Sequence, residues 1–278
     1  MAGGLFAIDK IYFRDIGYYD PGLEIWGGEN FEISYKIWMC GGQVLFVPCS
    51  RVGHIYRLKG WEGSPPPAYV PSNPSLRNYM RVVEVWWDEY KEYFYTTRPE
   101  SIGLDFGDIS PQQKFRSDNK CKSFDWFMKE IAYDVIERFP IPPLNLYWGE
   151  LRGKGSNQCM DGMGRKNGDG EVAQYSCHKM GGNQLFRLTE GFQLAQYDSC
   201  VTTFPKTRNA KPGHKLSVYQ CTQSEYKDWK WVPEESAIVH SPSSLCLTRS
   251  LAGNAITLEN CDKDLTNQQW EFNEVHNV

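Results

Sequence analysis

Three cysteine pairs, each followed by an aromatic residue, run through the second half of this 278-residue chain. The first unit, "CMDGMGRKNGDGEVAQYSCHKMGGNQLF", opens at Cys159, reaches its second cysteine at Cys177 and ends on Phe186. The next, "CVTTFPKTRNAKPGHKLSVYQCTQSEYKDWKW", repeats this with Cys200, Cys221 and Trp231. The third, "CLTRSLAGNAITLENCDKDLTNQQW", has Cys246, Cys261 and Trp270. Before each second cysteine stands an alternating run, "EVAQYSC", "KLSVYQC" and "AITLENC", each reading as a strand of period two. A unit of roughly 40 residues is too small to bury a core alone, so three of them must pack around a shared axis. Six cysteines arranged in this way read as disulfides and a secretory compartment. Cys40, Cys49 and Cys121 remain, an odd set, so one partner is expected outside this chain. No C-x-x-C occurs, which argues against a zinc ribbon or redox motif.

The triplication resembles the ricin-type β-trefoil lectin. That family's Gln-x-Trp motif stands intact as Gln268-Gln269-Trp270 and altered as Gln184-Leu185-Phe186 and Trp229-Lys230-Trp231. The resemblance implies an all-β trefoil over residues 147–278, with disulfides Cys159–Cys177, Cys200–Cys221 and Cys246–Cys261. Sugar binding needs an acceptor for two adjacent hydroxyls, donors nearby, and an aromatic face for the apolar side of the ring. In the family the acceptor is an Asp two residues after the first cysteine. Asp161 stands there in the first unit, whereas Thr202 and Thr248 occupy the matching positions and cannot accept bidentately. Tyr175, His178 and Asn183 match the other motif positions, although His178 read alone would be a surface histidine beside a disulfide. One working sugar site, in the first repeat, is expected.

The first half has a different pattern. "GLFAIDKIYF" reads as a strand followed by a short helix, and "QVLFVPC" as a buried strand. "ENFEISYKIWMCGG" carries Ile33, Ile37 and Trp38 at helical spacing and stops at Gly41-Gly42. "RNYMRVVEVWWDEYKEYF" is amphipathic, with Val82, Val83, Trp86 and Tyr90 on one side. "SPQQ" supplies an N-cap Ser, a first-turn Pro and a Gln three residues on, opening a helix through "KFRSDNKCKSFDWFMKEI". Proline-rich "FPIPP" marks a linker. In "WGGENFEIS", Glu29 follows two glycines at a helix start. By position it is a carboxylate favoured there by about 0.3–1 kcal/mol, or a residue that grips a ligand.

Three stretches, "AGGLFAIDK", "WGGENFEISYKIWMCGG" and "PCSRVGHIYR", together resemble the second half of the catalytic domain of the polypeptide N-acetylgalactosaminyltransferases. Members of that family transfer GalNAc from UDP-GalNAc to Ser or Thr hydroxyls with retention of configuration, and carry a ricin-type lectin domain at the C-terminus. "GHIYRLKGWEGSPPPAYV" and "VVEVWWDEYKEYFY" resemble one branch, described as preferring already glycosylated peptides. The resemblance implies an α/β C-terminal portion of a GT-A glycosyltransferase domain over 1–128, a linker over 129–146, and the trefoil beyond. It implies that Gly3 and Gly4 admit the donor sugar, that Glu29 and Asn30 bond its hydroxyls, and that Trp26 belongs to a lid excluding water. His54 would be a Mn2+ ligand, Arg57 would contact the diphosphate, and Tyr56 would line the acceptor peptide groove. The metal would act as a Lewis acid on the departing UDP. Trp61 and Glu62 lie where the sequence departs from the family, and no catalytic role is carried onto them.

The family's nucleotide-binding half contains an Asp-x-His metal motif, and no Asp-x-His occurs in this chain. The family pairs Cys40 with Cys121, and Cys49 with a cysteine of that other half. The chain therefore reads as a fragment, a truncated isoform or a partial gene model beginning at an internal methionine, and the resemblance implies the Golgi lumen, with a membrane anchor only in the full-length protein. Its expected partners are UDP-GalNAc and Ser/Thr peptides or GalNAc-glycopeptides. Two functions follow: a transferase active when complete, or a carbohydrate-binding module on a non-catalytic half-domain. No turnover is expected of this chain alone. Net charge −4 and pI near 5.8 give no reason to expect nucleic acid, and no signal peptide or bilayer-length apolar run is visible.

Overall fold

In a computed structural model of the chain, residues 3, 5–53, 74–221 and 226–275 are described. They fall into two compact units, one of residues 1–91 and 104–133, the other of 92–103 and 134–278.

Among its described residues the first unit has helices joined by irregular segments and no strand. Helix α1 (Lys10–Asp15) starts where Asp9 accepts the Tyr12 N–H, and α2 (Glu29–Met39) follows the glycine pair. Then come α3 (Pro74–Trp86), the first residue of α4 (Lys91–Thr97), α5 (Ser110–Asp118) and α6 (Phe124–Glu130). α2 is buried on two sides because its apolar residues fill two stripes. Ile33 and Ile37 meet Ile16 and Tyr12, while Tyr35 and Met39 join Val82, Val85, Trp86 and Phe124. Phe124 is the hub of that second cluster, stacking on Trp87 and Phe127 at 5.2 and 5.5 Å and meeting Tyr35 edge-on at 5.4 Å. The disulfide Cys40–Cys121 ties the end of α2 to the α5–α6 connection, closing a sequence separation of 81. Loop entropy alone makes such a bridge worth about 4–5 kcal/mol.

Several first-half expectations are corrected here. Leu5–Asp9 forms no strand, and "QVLFVPC" is an irregular exposed run with Phe46 at 92% exposure; no described strand pairs with either. The amphipathic segment is broken after Trp86, where Asp88 takes φ +49° and binds Arg116, so α3 and α4 are separate helices. The helix expected from Ser110 through Ile131 is two helices, since Cys121 must turn back to reach Cys40. Ser110 is helical rather than a cap: Ile109 is the N-cap, and Asp108 accepts the Ser110 N–H. Ser123 does cap α6, accepting the Trp126 N–H.

Two ion pairs are buried in this unit. Asp20 receives Arg81 through two bonds of 2.7 and 2.9 Å, and Gln112 Nε2 at 2.7 Å. A Cβ on Gly22 would fall 2.2 Å from that guanidinium, so Arg81 itself demands the glycine. Glu32 and Lys36 pair at 2.5 Å along α2, and Lys36 also donates to the Tyr18 carbonyl.

The second unit holds α7 (Val135–Arg138) and twelve antiparallel strands. They run β1 (Asn145–Gly153), β2 (Gln158–Asp161), β3 (Ala173–Ser176), β4 (Leu185–Thr189), β5 (Leu194–Gln196), β6 (Ser199–Phe204), β7 (His214–Gln220), β8 (Trp229–Val232), β9 (Ala237–His240), β10 (Leu245–Arg249), β11 (Ile256–Asn260) and β12 (Trp270–Asn273). Each repeat contributes four strands, the middle two forming a disulfide-bonded hairpin. The last strand pairs with the first, Gly153 opposite Trp270, and β7 pairs β11, so the repeats close on one core. Phe186, Trp229 and Trp270 lie in that core with Leu151, Leu188, Val201, Leu247 and Leu258.

Here the second repeat departs from expectation. Trp229, not Trp231, is the counterpart of Trp270: each indole Nε1 donates at 2.8 Å to the carbonyl one residue after a first cysteine, Val201 or Leu247. Trp231 is half-buried against Tyr147 and Phe272.

Trp229→Ala should therefore cost about 3–5 kcal/mol in denaturant unfolding, and Trp231→Ala clearly less. A second expectation concerns Glu32, whose carboxyl burial pushes up to about 7 against the opposing pull of Lys36. Between about pH 4.5 and 7 the folded chain holds a proton that the unfolded chain has released, so stability falls as pH rises through this window. The stability difference between wild type and Glu32→Gln, followed by thermal unfolding at pH 5 and 8, should shift in the variant's favour at the higher pH.

Candidate functional site

In the first repeat, Asp161 ends β2 with its carboxylate 4% exposed. Oδ1 accepts the Met163 N–H at 2.7 Å and Asn183 Nδ2 at 2.6 Å, and Oδ2 accepts Gln184 Nε2 at 3.1 Å. A carboxylate offers about four acceptor directions, so three donors fix its orientation and leave room for a hydroxyl. Gln184 is the structural centre of the arrangement. Its Nε2 also donates to the Ser176 carbonyl, and its Oε1 accepts the His178 N–H. These bonds hold the two residues flanking Cys177. Because Asn183 Nδ2 faces Asp161, its Oδ1 faces His178 Nε2 at 3.2 Å; His178 Nδ1 accepts the Met180 N–H. This network assigns the imidazole proton to Nε2. Behind the ring lies Glu150, 2% exposed, with Oε1 3.5 Å from Nδ1. Tyr175 pairs opposite Cys159 two residues along from Asp161's partner Ala173, which places it on the same hairpin face. It is 44% exposed, and Asn254 donates to its hydroxyl at 3.3 Å.

The structure thus brings Asp161, His178 and Asn183 into one hydrogen-bonded set with Tyr175 on the same face. Sequence reading singled out these four and missed Gln184, although Gln184-Leu185-Phe186 was in view as a degraded motif. The close approach at Gly162 was missed as well: an added Cβ there would lie 2.2 Å from Gln196 Oε1.

The other repeats keep the scaffold and lack the acceptor. Gln268 repeats the backbone role of Gln184, accepting the Asp262 N–H and donating to Asn260. Thr248 turns its hydroxyl to the Cys246 carbonyl, and Asn267 donates to the Arg249 carbonyl rather than to a carboxylate. In the second repeat Tyr219 holds the place of Tyr175, but Lys206 Nζ lies 4.1 Å above its ring and bonds the Tyr226 hydroxyl.

In the helical unit, Glu29 is the first residue of α2 and Asn30 the second, with Asn30 half-buried. A Cβ on Gly3 would lie 3.1 Å from Glu29 Oε1, so Gly3 and Glu29 are neighbours. Trp26 is 69% exposed. Its loop is fixed by Asn78, 1% exposed, whose Oδ1 accepts the Glu24 N–H while Nδ2 donates to the carbonyls of Glu24, Trp26 and Gly27. The glycine pair has a packing reason: Cβ atoms at Gly27 and Gly28 would lie 3.1 and 3.2 Å from the Cβ atoms of Ser75 and Asn78. Both glycines have positive φ, 95° and 88°. Asn78 carries no motif and was invisible in the sequence. Gly4, His54, Tyr56, Arg57, Trp61 and Glu62 lie outside the described residues.

Among the described residues the one cluster with metal-ligand spacing is Glu150, Cys159 and Cys177. Its two sulfurs form a disulfide, which does not suit a hard divalent ion. The described residues therefore fit no Mn2+ site, and none of the described helices is long and apolar enough to cross a membrane.

Comparison with known proteins places both units. Residues 147–270 match the ricin-type beta-trefoil lectin domain, and residues 1–60 match a family described as the N-terminal domain of galactosyltransferase. N-acetylgalactosaminyltransferase 7 of Homo sapiens is 56% identical over 278 residues, covering 100% of this chain and 41% of the relative. That of Drosophila melanogaster is 43% identical over 286 residues, covering 99% and 45%. Polypeptide N-acetylgalactosaminyltransferase 10 of Homo sapiens is 38% identical over 295 residues, covering 100% and 46%. A crystal structure of GalNAc-T7 with UDP, GalNAc and Mn2+ matches with TM-score 0.86 at 56% identity, over 100% of this chain and 50% of that one. The chain spans less than half the length of these curated relatives.

Proposed function

The chain belongs to the polypeptide N-acetylgalactosaminyltransferase family by homology along its whole length, and on that premise we propose that its trefoil holds GalNAc in the first-repeat pocket of an enzyme that transfers GalNAc to Ser or Thr hydroxyls. The observation that carries this reading is the buried Asp161 carboxylate, held by three donors in the repeat where His178, Asn183 and Tyr175 also meet.

The chemistry is that of a preorganised acceptor. Met163, Asn183 and Gln184 fix the carboxylate before sugar arrives, so little side-chain ordering opposes binding. Asp161 takes a hydroxyl proton in its remaining acceptor direction, the second Asn183 amide hydrogen lies beside it as a donor while His178 Nε2–H holds the Asn183 side-chain oxygen, and Tyr175 offers its ring to the apolar side of the sugar. In the helical unit, Glu29 and Asn30 serve the donor sugar's hydroxyls and Trp26 closes over it, with Gly3 leaving room beside Glu29. By family resemblance alone, Gly4 is assigned to the donor sugar, Arg57 to the diphosphate and Tyr56 to the acceptor peptide. UDP-GalNAc, Ser/Thr peptides and GalNAc-glycopeptides are the substrates of this reading, and Mn2+ would supply Lewis acidity at the diphosphate. His54 is one imidazole, and these 278 residues contain no Asp-x-His to accompany it. Residues 1–278 by themselves are accordingly read as a sugar-binding module without turnover. Four disulfides fit a secretory compartment, and the family points to the Golgi lumen.

Calorimetric titration of residues 1–278 with GalNAc should show one site. Asp161→Asn should weaken it at least about tenfold, and Tyr175→Ala several-fold without loss of folding, since that side chain is half exposed. Sugar affinity unchanged in both variants would reject the pocket. Release of UDP from UDP-GalNAc by residues 1–278 with added Mn2+ would reject the inactive reading.

A further inference from the structure

Residues 92–103 group with the trefoil unit, and the sugar site as described does not use them. Arg98 lays its guanidinium over the ring of Tyr197, with Cζ 3.6 Å from the centroid. Two residues on, Glu100 is 3% exposed and feels the charges of Arg98 and Arg187. Arg187 is itself 2% exposed. One of its nitrogens donates to Asn145 Oδ1 at 2.9 Å and to the Thr96 carbonyl at 3.3 Å, and the other to the Tyr197 carbonyl at 2.6 Å. Tyr197 is thus held by one guanidinium on its ring and another on its backbone. It needs such support, since it sits at φ +54°, where side-chain-bearing residues are uncommon.

The turn that carries Tyr197 also supports the sugar pocket. Gln196, the preceding residue, donates Nε2 to the Asn183 carbonyl at 2.6 Å, and its Oε1 occupies the space beside Gly162. A Cβ on Gly182 would lie 4.0 Å from the Tyr197 hydroxyl. The Gly162 N–H meets the same Asn183 carbonyl at 2.8 Å, and the Asn183 side chain donates to Asp161. Each step from Arg98 to Asp161 is therefore a direct contact or a peptide bond. The clamp lies on the β5–β6 turn, which belongs to the second repeat, and Gln196 reaches from it to the first-repeat pocket.

We propose that Arg98 is a positioning residue for the first-repeat sugar pocket: by clamping Tyr197 it holds Gln196 against Asn183, and so sets the donor that faces Asp161. This rests on the reading of that pocket as the GalNAc site. Arg98 does not touch the sugar, and its planar stack rather than its charge transmits the effect.

The test is a double-mutant cycle on GalNAc affinity in the full 278-residue chain. Arg98→Ala and Tyr197→Leu should each weaken binding about three- to tenfold, a range set by the worth of a stacked guanidinium. Tyr197→Phe keeps the ring and should stay within about twofold of wild type. The double variant Arg98→Ala/Tyr197→Leu should lose no more than the worse single one, because the two residues act as a unit. The side-chain amide resonances of Asn183 should move in Arg98→Ala before any sugar is added. Arg98→Lys, which keeps the charge beside Glu100, covers the case of misfolding and should also weaken binding. A folded Arg98→Ala or Arg98→Lys chain with wild-type affinity and an unmoved Asn183 amide would overturn the proposal, as would losses that multiply in the double variant. A wild-type chain that binds no GalNAc would instead reject the pocket reading.

Discussion

The side-chain amide of Gln184 joins three groups that would otherwise be independent: the Ser176 carbonyl at the end of β3, the His178 N–H beyond the disulfide, and the Asp161 carboxylate. The first two are scaffold bonds, and Gln268 makes the same pair in the third repeat with no carboxylate present. A net neutral hydrogen bond is worth about 0.5–1.5 kcal/mol and one to a charged group about 1.5–3, so the third bond is the strongest of the set. On the proposed reading, sugar recognition is grafted onto a joint that the fold already requires. The cysteine bridge sets where the hairpin ends lie, the glutamine reads both sides of that bridge, and the carboxylate is aimed from there.

The trefoil was legible because its constraints are local and repeated three times. Cysteine spacing and period-two strands survive without knowledge of the partners, and β3, β7 and β11 lie where the alternation put them. Trp229 was misread because "WKW" offers two aromatics and the second repeat is one residue short between Cys221 and its buried tryptophan. Counting from a cysteine cannot decide between them; the indole bond to Val201 does. The first half was harder. "QVLFVPC" has strand composition, but a strand exists only by pairing, and β-propensity measures fit to neighbours rather than an intrinsic preference. The helix breaks at Asp88 and near Cys121 are set by Arg116 and Cys40, which are distant in sequence. Asp161, His178 and Asn183 could be picked out because they stand at motif positions, and the structure brings them together; Gln184 stood in a motif but its side-chain bonds did not show there, and Asn78, Gln196 and Tyr197 act through backbone carbonyls and ring faces that appear only on folding.

Glu29, a donor-sugar residue on the proposed reading, shows how one position at a helix start is held. The glycines before it are shaped by α3, and Asn78 gathers the carbonyls of the loop that carries Trp26. Further along α2, Glu32 and Lys36 are buried as a pair, and Asp20 with Arg81 links the loop before α2 to α3. Buried ion pairs add little net stability compared with apolar packing, yet breaking one costs several kcal/mol. Asp20–Arg81 ties the segment before α2 to α3, the helix whose Ser75 and Asn78 lie against Gly27 and Gly28, while Glu32–Lys36 is a pair within α2 itself.

On the proposed reading, Lys206 across Tyr219 and the threonines at 202 and 248 carry a consequence for dense sugar arrays. A threefold scaffold could have gripped three sugars at once and held a decorated chain by avidity. With one built pocket it is monovalent, so residence on a clustered substrate depends on rapid rebinding to neighbouring sugars and on local concentration. Such a module can search along a crowded chain without becoming trapped on it.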